Sequence, residues 1–383
     1  MNDYTKHQAR NRIIRAASQN LDLVAFWQEA SAALVNVVPY FLTPCWFTLD
    51  PTSLLVTSHY QPEIPELPPE WLAHEYFADD FHKMSDIARS EHGSSTLHEA
   101  TGGNPSLSAA WNLYMRPYGA DQELLVALRT RAGHTWGILG LYREPNCPQF
   151  SSDEIQFLRE LSPYLAEGAR RGLLIGEATD PEGPEAPGLV VLTENWSIES
   201  LTPSTERWFA ELPNGDWQRG KLPPSVLAVA GRALRLAEEA DLSSEVVFAR
   251  VLSRSGQWIV LHAAALVGNI PRRIAVIIEP AHPARIMPLL MTTYGLTERE
   301  QDVTRLILQG NSTTEIAARL VVSAHTVQQH LKSIFDKTGV RSRREMVGQV
   351  FFSYYEPRLR DNERRVISDR PIRGGPMKQL ANT

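Results

Sequence analysis

In the stretch SAHTVQQHLKSIFDKTGV, residues 323–340, five polar side chains recur at helical spacing: His325, Gln328, Gln329, Lys332 and Asp336. A glutamine amide donates and accepts hydrogen bonds together, whereas a lysine ammonium only donates. Such a stripe faces either water or a partner whose own donors and acceptors it reads. The other side is simpler. Val327, Leu331, Ile334 and Phe335 recur at i, i+4, i+7 and i+8, which predicts one buried face. Ser323 is a suitable N-cap, Val322 can staple onto Val327 across it, and Gly339 is a left-handed stop.

Neighbouring elements must hold that helix. LTEREQDVTRLILQG opens with a capping box from Thr297 to Glu300, buries Val303, Leu306 and Ile307, and stops at Gly310. NSTTEIAARLVVS has a second box, Ser312 to Glu315, with Ile316 and Leu320 inward. RSRREMVGQVFFSYY begins with a third, Ser342 to Glu345. Four short helices are predicted, with a tight turn between the second and third. That is an all-α helix-turn-helix unit, in which one helix braces and the next enters a DNA major groove. Ser312, Thr313 and Thr314 offer hydroxyls and free backbone N–H groups at a helix start, a seat for phosphate to which Thr326 and His330 can add. Arg341, Arg343 and Arg344 begin the last helix and face phosphate or water. Met346, Val347, Val350, Phe351 and Tyr354 form a stripe too large for so small a domain to bury. A homodimer contact, or docking on the preceding domain, is expected there.

LTERE, EIAARL and SAHTVQQHLKSIFDKTGVRSRREMV together resemble the C-terminal DNA-binding domain of LuxR-type transcriptional regulators, without a gap. The resemblance implies that His325, Gln328, Gln329 and Lys332 lie toward base edges of double-stranded DNA. It also implies that the last helix pairs two subunits. Thr338 stands where the family usually has an apolar residue, and Gln328 where Lys or Arg is common. Lysine suits guanine, while glutamine matches the N6/N7 edge of adenine, so no operator sequence is carried over.

The whole chain has 383 residues, 43% hydrophobic and 21% charged, which suggests two or three domains of an ordinary globular protein. No apolar run is long enough for a membrane span, and the first twenty residues lack a signal-peptide core. Two cysteines, Cys45 and Cys147, exclude a disulfide framework and fit a reducing cytoplasm. The net charge of −6 divides unevenly: +2 over 297–352, +4 over 357–383, −1 at Glu356 and therefore −11 over 1–296. An acidic front and a basic end fit a polyanionic partner at the end. No nucleophile elbow, phosphate loop or paired-carboxylate signature is present, so no enzyme and no cofactor are expected.

The expected organisation is an N-terminal segment 1–20, a sensory domain 21–175, a linker 176–188, a second domain 189–288, the helix-turn-helix domain 289–356 and a disordered basic tail 357–383. In 21–175 a helix, a hairpin of CWFTLD and LLVTSHY, a strand pair around residues 131–134 and a long helix from Ser152 follow one another. That order of α+β elements resembles GAF-type domains. In 189–288 two strands, two helices and three strands resemble a PAS-like α+β domain. The signal is expected to be a small molecule or a protein partner. EYFADDF faintly resembles the Tyr and Asp region of autoinducer-binding domains, but the usual Asp-Pro is absent. His74, Asp79, Asp80, His82, Asp86, His92 and His98 crowd one region. On a helix Asp79/His82 and His82/Asp86 would share a face, yet no three-ligand metal spacing is clean and no metal is expected. Trp46, Trp71, Trp111 and Trp136 belong either to a core, their commoner use, or to a ligand pocket.

Overall fold

The computed structural model describes residues 3–19, 21–63, 69–174, 187–239, 247–266, 272–281, 291, 294–308, 310–343 and 346. The described residues up to Pro280 form one compact unit and those from Ala281 onward form another.

The front unit contains two antiparallel five-stranded sheets. The first consists of β1 (Cys45–Leu49), β2 (Val56–Tyr60), β3 (Ser94–Thr96), β4 (Gln122–Arg129) and β5 (Thr135–Arg143), in the order β2-β1-β5-β4-β3. Successive side chains of β4 point to opposite faces, as strand geometry requires. Leu124, Val126 and Leu128 meet one core, while Leu125 and Ala127 meet another. The first core lies under helices α1 (Asp3–Ser18), α2 (Leu23–Leu34) and, after the shorter α3 (Pro69–Phe77), α4 (Met84–Arg89) and α5 (Leu97–Ala100), the long α6 (Ser152–Leu174). Trp27 stacks on Trp46 at 4.5 Å there, and the Trp46 indole N–H donates to Ser31 Oγ at 2.9 Å. The first twenty residues, read as a mere leading segment, form α1. Ala9, Ile13, Ala16 and Ala17 bury one stripe of it, and α1 packs against α2 and α6. The i, i+4, i+7, i+8 spacing of those four residues was a readable signal.

The second sheet consists of β6 (Gly188–Thr193), β7 (Ile198–Leu201), β8 (Val247–Leu252), β9 (Trp258–Leu266) and β10 (Arg273–Pro280), in the order β7-β6-β10-β9-β8. Its helices are α7 (Pro203–Glu211) and α8 (Pro224–Glu238). The two hairpins and the helices fall where the sequence predicts them. One hydrophobic core runs through both sheets, so the segments expected as two domains lie in one compact unit. Helix α8 is the reason. Val226 through Gly231 are all buried, and a helix apolar on every side must be covered on every side. It packs on β9 of its own sheet and on α3 and β2 of the other. At the α3 crossing a Cβ on Gly231 would lie 2.9 Å from the Ala73 carbonyl oxygen, so only glycine permits this approach.

A buried ion pair closes the same junction. Both carboxylate oxygens of Asp50 accept from the Arg250 guanidinium at 2.8 Å, and one also accepts the Arg250 backbone N–H at 2.9 Å. The Asp50 side chain is fully buried and that of Arg250 almost so. Asn214 completes the seam. Its amide donates to the His59 carbonyl and accepts the His59 N–H, at 2.9 and 3.0 Å, which satisfies one residue's backbone on the free edge of β2.

In the C-terminal unit α9 (Glu298–Leu308), α10 (Thr313–Leu320) and α11 (Ala324–Thr338) surround Val303, Ile307, Ile316, Val327, Leu331 and Ile334. A further helical turn begins after Ser342, whose carbonyl accepts the Met346 N–H at 3.0 Å.

Candidate nucleic-acid interface

The turn between α10 and α11 is built from caps. Ser312 and Glu315 form the expected box, with Glu315 Oε2 accepting the Ser312 N–H at 2.7 Å and Ser312 Oγ accepting the Glu315 N–H at 3.3 Å. Helix α10 ends at Val321, which adopts a left-handed φ of 54°. Ser323 then caps α11 by accepting the Thr326 N–H at 3.0 Å. Arg299, on α9, donates to the Leu320 carbonyl and so satisfies an end group that the turn leaves free.

Helix α11 divides as its periodicity requires. Val327, Leu331 and Ile334 are buried. His325, Gln328, Gln329, Lys332 and Asp336 are exposed. The Nε2 atoms of His325 and Gln329 lie 3.2 Å apart, so one turn of the stripe is already ordered. Gln328 and Lys332, at i and i+4, stand on adjacent turns of the open face.

Of the residues expected to form a phosphate seat, Ser312, Thr313 and Thr314 stand at the start of α10. Ser312 and Thr314 are exposed and Thr313 is half-buried. Thr326 and His330 are half-buried on α11, with Thr326 Oγ1 at 2.8 Å from Ser323 Oγ. Arg343 comes to this seat by a route that the sequence did not suggest. Its guanidinium donates to the Asn311 carbonyl at 2.8 Å and to Thr313 Oγ1 at 3.2 Å, bracing the loop before α10. The side chain of Arg344 lies outside the described residues. Of the residues expected to pair subunits, Met346 is buried in the core of its own domain, and Val350, Phe351 and Tyr354 lie outside the described residues.

One positioning residue was read only as a cap. The Glu300 carboxylate accepts from Thr297 N–H at 2.7 Å, as the box predicts, and also from Ser333 Oγ and Lys337 Nζ, both at 2.6 Å. It therefore ties α9 to α11 and sets the roll of the open face. Burial by itself would raise this carboxyl, but the Lys337, Ser333 and Thr297 donors prevail and hold it below the usual range. Ser333 and Lys337 at i and i+4 on the flank of α11 were the available signal.

The histidine-rich region does not converge. No group of three His, Cys, Asp or Glu side chains able to hold a metal occurs among the described residues. The helical spacing argument fails because residues 78–83 are a connection between α3 and α4. His82 instead meets Glu123 and the Ser95 carbonyl, His74 meets Asp80, and Asp79 meets Arg235. Trp46 and Trp136 are core residues, while Trp71 and Trp111 are half-buried. No helix among the described residues is long and apolar enough to cross a membrane.

Residues 295–349 match the family described as bacterial regulatory proteins, luxR family. The C-terminal unit thus carries a LuxR-type helix-turn-helix domain, the class that its capped turn and open helix define. The chain is 41% identical over 69 residues to the HTH-type transcriptional regulator MalT of Serratia proteamaculans, a match covering 18% of this chain and 7% of that protein. A putative HTH-type transcriptional regulator of Mycobacterium tuberculosis is 46% identical over 56 residues, covering 15% and 6%. The chain therefore spans well under a tenth of the length of these relatives. Among solved structures, a phage VqmA–DPO complex aligns at 15% identity over 45% of this chain and 85% of that one, with a TM-score of 0.23. The bacteriophytochrome RpBphP3 of R. palustris aligns at 13% identity over 73% and 63%, with a TM-score of 0.26.

Proposed function

We propose that the chain is a transcriptional regulator that binds a DNA operator as a homodimer. The observation that carries this reading is the open stripe of α11, positioned by a capped turn inside the LuxR-type segment. In such a unit the second helix lies in the major groove, and a two-fold pair sets two such helices about 34–36 Å apart. His325, Gln328, Gln329 and Lys332 read base edges. Ser312, Thr313, Thr314, Thr326, His330, Arg343 and Arg344 serve phosphates, with Arg343 acting through the loop it braces. Gln328 favours adenine, because its amide both donates to N7 and accepts from N6–H. The protein does no chemistry and works in the cytoplasm, where DNA is.

The front unit is the sensory part, a GAF-like and a PAS-like sheet fused through α8. A signal bound there shifts the population toward the dimer geometry that fits the operator. Two observations bear on the signal. A cleft of about 840 Å³ lined by Val37, Tyr40, Phe41, Arg143 and Cys147 supports a small molecule. Leu189, Leu266 and Ile277, exposed on strands of the second sheet, favour a protein partner as the second reading.

Selection of binding sites from random duplexes tests the DNA reading. Gln328→Ala and Lys332→Ala should each cost about 1–3 kcal/mol in specific binding with unchanged circular dichroism. Gln328→Lys should move one position of each half-site from adenine toward guanine. Wild-type affinity in both alanine variants would sink the assignment.

A further inference from the structure

The cleft of about 840 Å³ in the front unit opens between α1, the end of α2 and the loop from β5 to α6. That volume lies within the range of small-molecule sites. Val37, Pro39, Phe41, Pro148 and the ring of Tyr40 supply an apolar wall. Phe41 is 39% exposed, yet it is held in place, because its backbone N–H donates to the Tyr142 carbonyl at 2.8 Å. The Tyr40 hydroxyl is spent on the Ser31 carbonyl at 3.0 Å, so its ring is what it offers the cleft. Fixed aromatic surface left open beside a hollow marks a place of contact.

The charged lining residues are Arg143, Glu144, Asp153 and Glu154. Two of the acids are already matched. Arg143 Nη2 donates to Glu154 Oε1 at 2.7 Å, and Lys6 Nζ donates to Asp153 Oδ1 at 2.6 Å. Arg143 is also held by the Pro39 and Pro148 carbonyls, and its guanidinium lies 4.0 Å from the centroid of the Phe150 ring. The Glu144 carboxylate has no ion-pair or hydrogen-bond partner among the described residues. It stands on a turn that the Cys147 N–H closes on the Glu144 carbonyl at 3.3 Å, with Asn146 left-handed at a φ of 68°. A further negative charge acts on the same wall. Burial first, and then Glu63, push the Tyr40 phenol up.

The cleft thus keeps one unmatched carboxylate against an apolar, aromatic wall. An anionic ligand would be repelled by it, and a hydrocarbon would gain nothing from it. Aromatic faces attract cations. We propose that this cleft binds a monovalent organic cation, its ammonium on the Glu144 carboxylate and its apolar body on Pro39, Phe41 and Pro148. The inference rests on reading the front unit as the sensory part and supplies the chemical class of its signal.

Cys147 lines the same cleft and is half-buried, whereas the other cysteine, Cys45, is buried, so thiol alkylation reports on this site. The full chain is titrated by calorimetry, without DNA, with 2-phenylethylamine, 2-phenylethanol and phenylacetate. Iodoacetamide labelling of Cys147 is timed with and without each. The amine should saturate, bind at least tenfold tighter than the alcohol and slow the labelling, and phenylacetate should do none of these. Glu144→Gln should abolish the preference for the amine with unchanged circular dichroism. Phe41→Ala should weaken amine and alcohol alike. Equal affinities for amine and alcohol, no saturable amine binding, a preference that survives Glu144→Gln, or unchanged labelling at amine saturation would overturn the proposal. Amine binding that leaves the affinity for a selected operator unchanged would uphold the site and remove the sensory reading.

Discussion

The front unit buries several charged side chains, whereas the C-terminal unit turns most of its polar side chains outward. Asp50, Arg250, Glu75, His82 and Glu123 are all buried in the front unit. In the C-terminal unit Glu300 is the buried acid among the described residues, and the polar stripe of α11 is open. A unit that joins two sheets has a junction to hold in register, and a desolvated bidentate pair fixes geometry. A unit that reads a long polymer has to keep its donors free. All nine tryptophans precede residue 259, so fluorescence reports the front unit alone.

The largest break in this contrast should come from Asp50→Ala. It strands the Arg250 guanidinium in the core, and loss of one partner of a buried pair costs about 3–5 kcal/mol. Urea titration followed by tryptophan fluorescence should show that loss. A change under ~1 kcal/mol would mean that water reaches the junction. Next is Leu331→Ala on the inner face of α11. Large-to-small changes in a core cost roughly 2–5 kcal/mol, and Leu331, at 9% exposure, belongs near the lower end. Circular dichroism at 222 nm should register it while the tryptophan transition stays in place.

Acid and base should act oppositely on the two units. Burial first, then Glu123 and Asp86, push Glu75 up to about 8 against the pull of the Ser85 N–H and Lys83. A raised carboxyl favours folding while protonated, so its penalty grows as pH rises from the unfolded value near 4.3 to about 8. Glu75→Gln should therefore raise front-unit stability by about 1–2 kcal/mol at pH 8 and by little at pH 4. Glu300 is lowered instead. Its contribution is present above the unfolded value and lost as pH falls through the folded one, so acid should weaken the C-terminal unit and Glu300→Gln should flatten that dependence. Parallel pH profiles for the two variants would erase the contrast. The smallest effect is expected at Val321, a β-branched residue held left-handed and 90% exposed. Val321→Gly should relieve roughly 1 kcal/mol of strain, seen as a rise in the helical melting transition. A fall would show that the valine side chain makes a stabilising contact.

Local signals account for what was legible. The boxes at Thr297 and Ser312, the cap at Ser323 and the stop at Gly339 each lie within four residues of what they cap, so short windows of sequence show them. The hairpins of both sheets are legible for the same reason. Helix α1 was equally local and was passed over because its mean character is polar, although its alanine and isoleucine stripe is regular. The shared helical face weighed for Asp79, His82 and Asp86 does not form, because residues 78–83 connect two helices.

By itself the sequence determined the helix-turn-helix unit, its open stripe and the main hairpins and longer helices in front, though not α1, β3 or α3 to α5, because periodicity and caps are properties of neighbours along the chain. Tertiary structure decided the rest. Asp50 and Arg250 are 200 residues apart, Glu123 and His82 are 41 apart, and Glu300 and Lys337 are 37 apart. No spacing rule connects them, since each pair exists only after two separately formed elements are packed together. The fusion of two sheets around α8 is of the same kind: an all-apolar helix announces that it is buried, and only the folded chain shows between what.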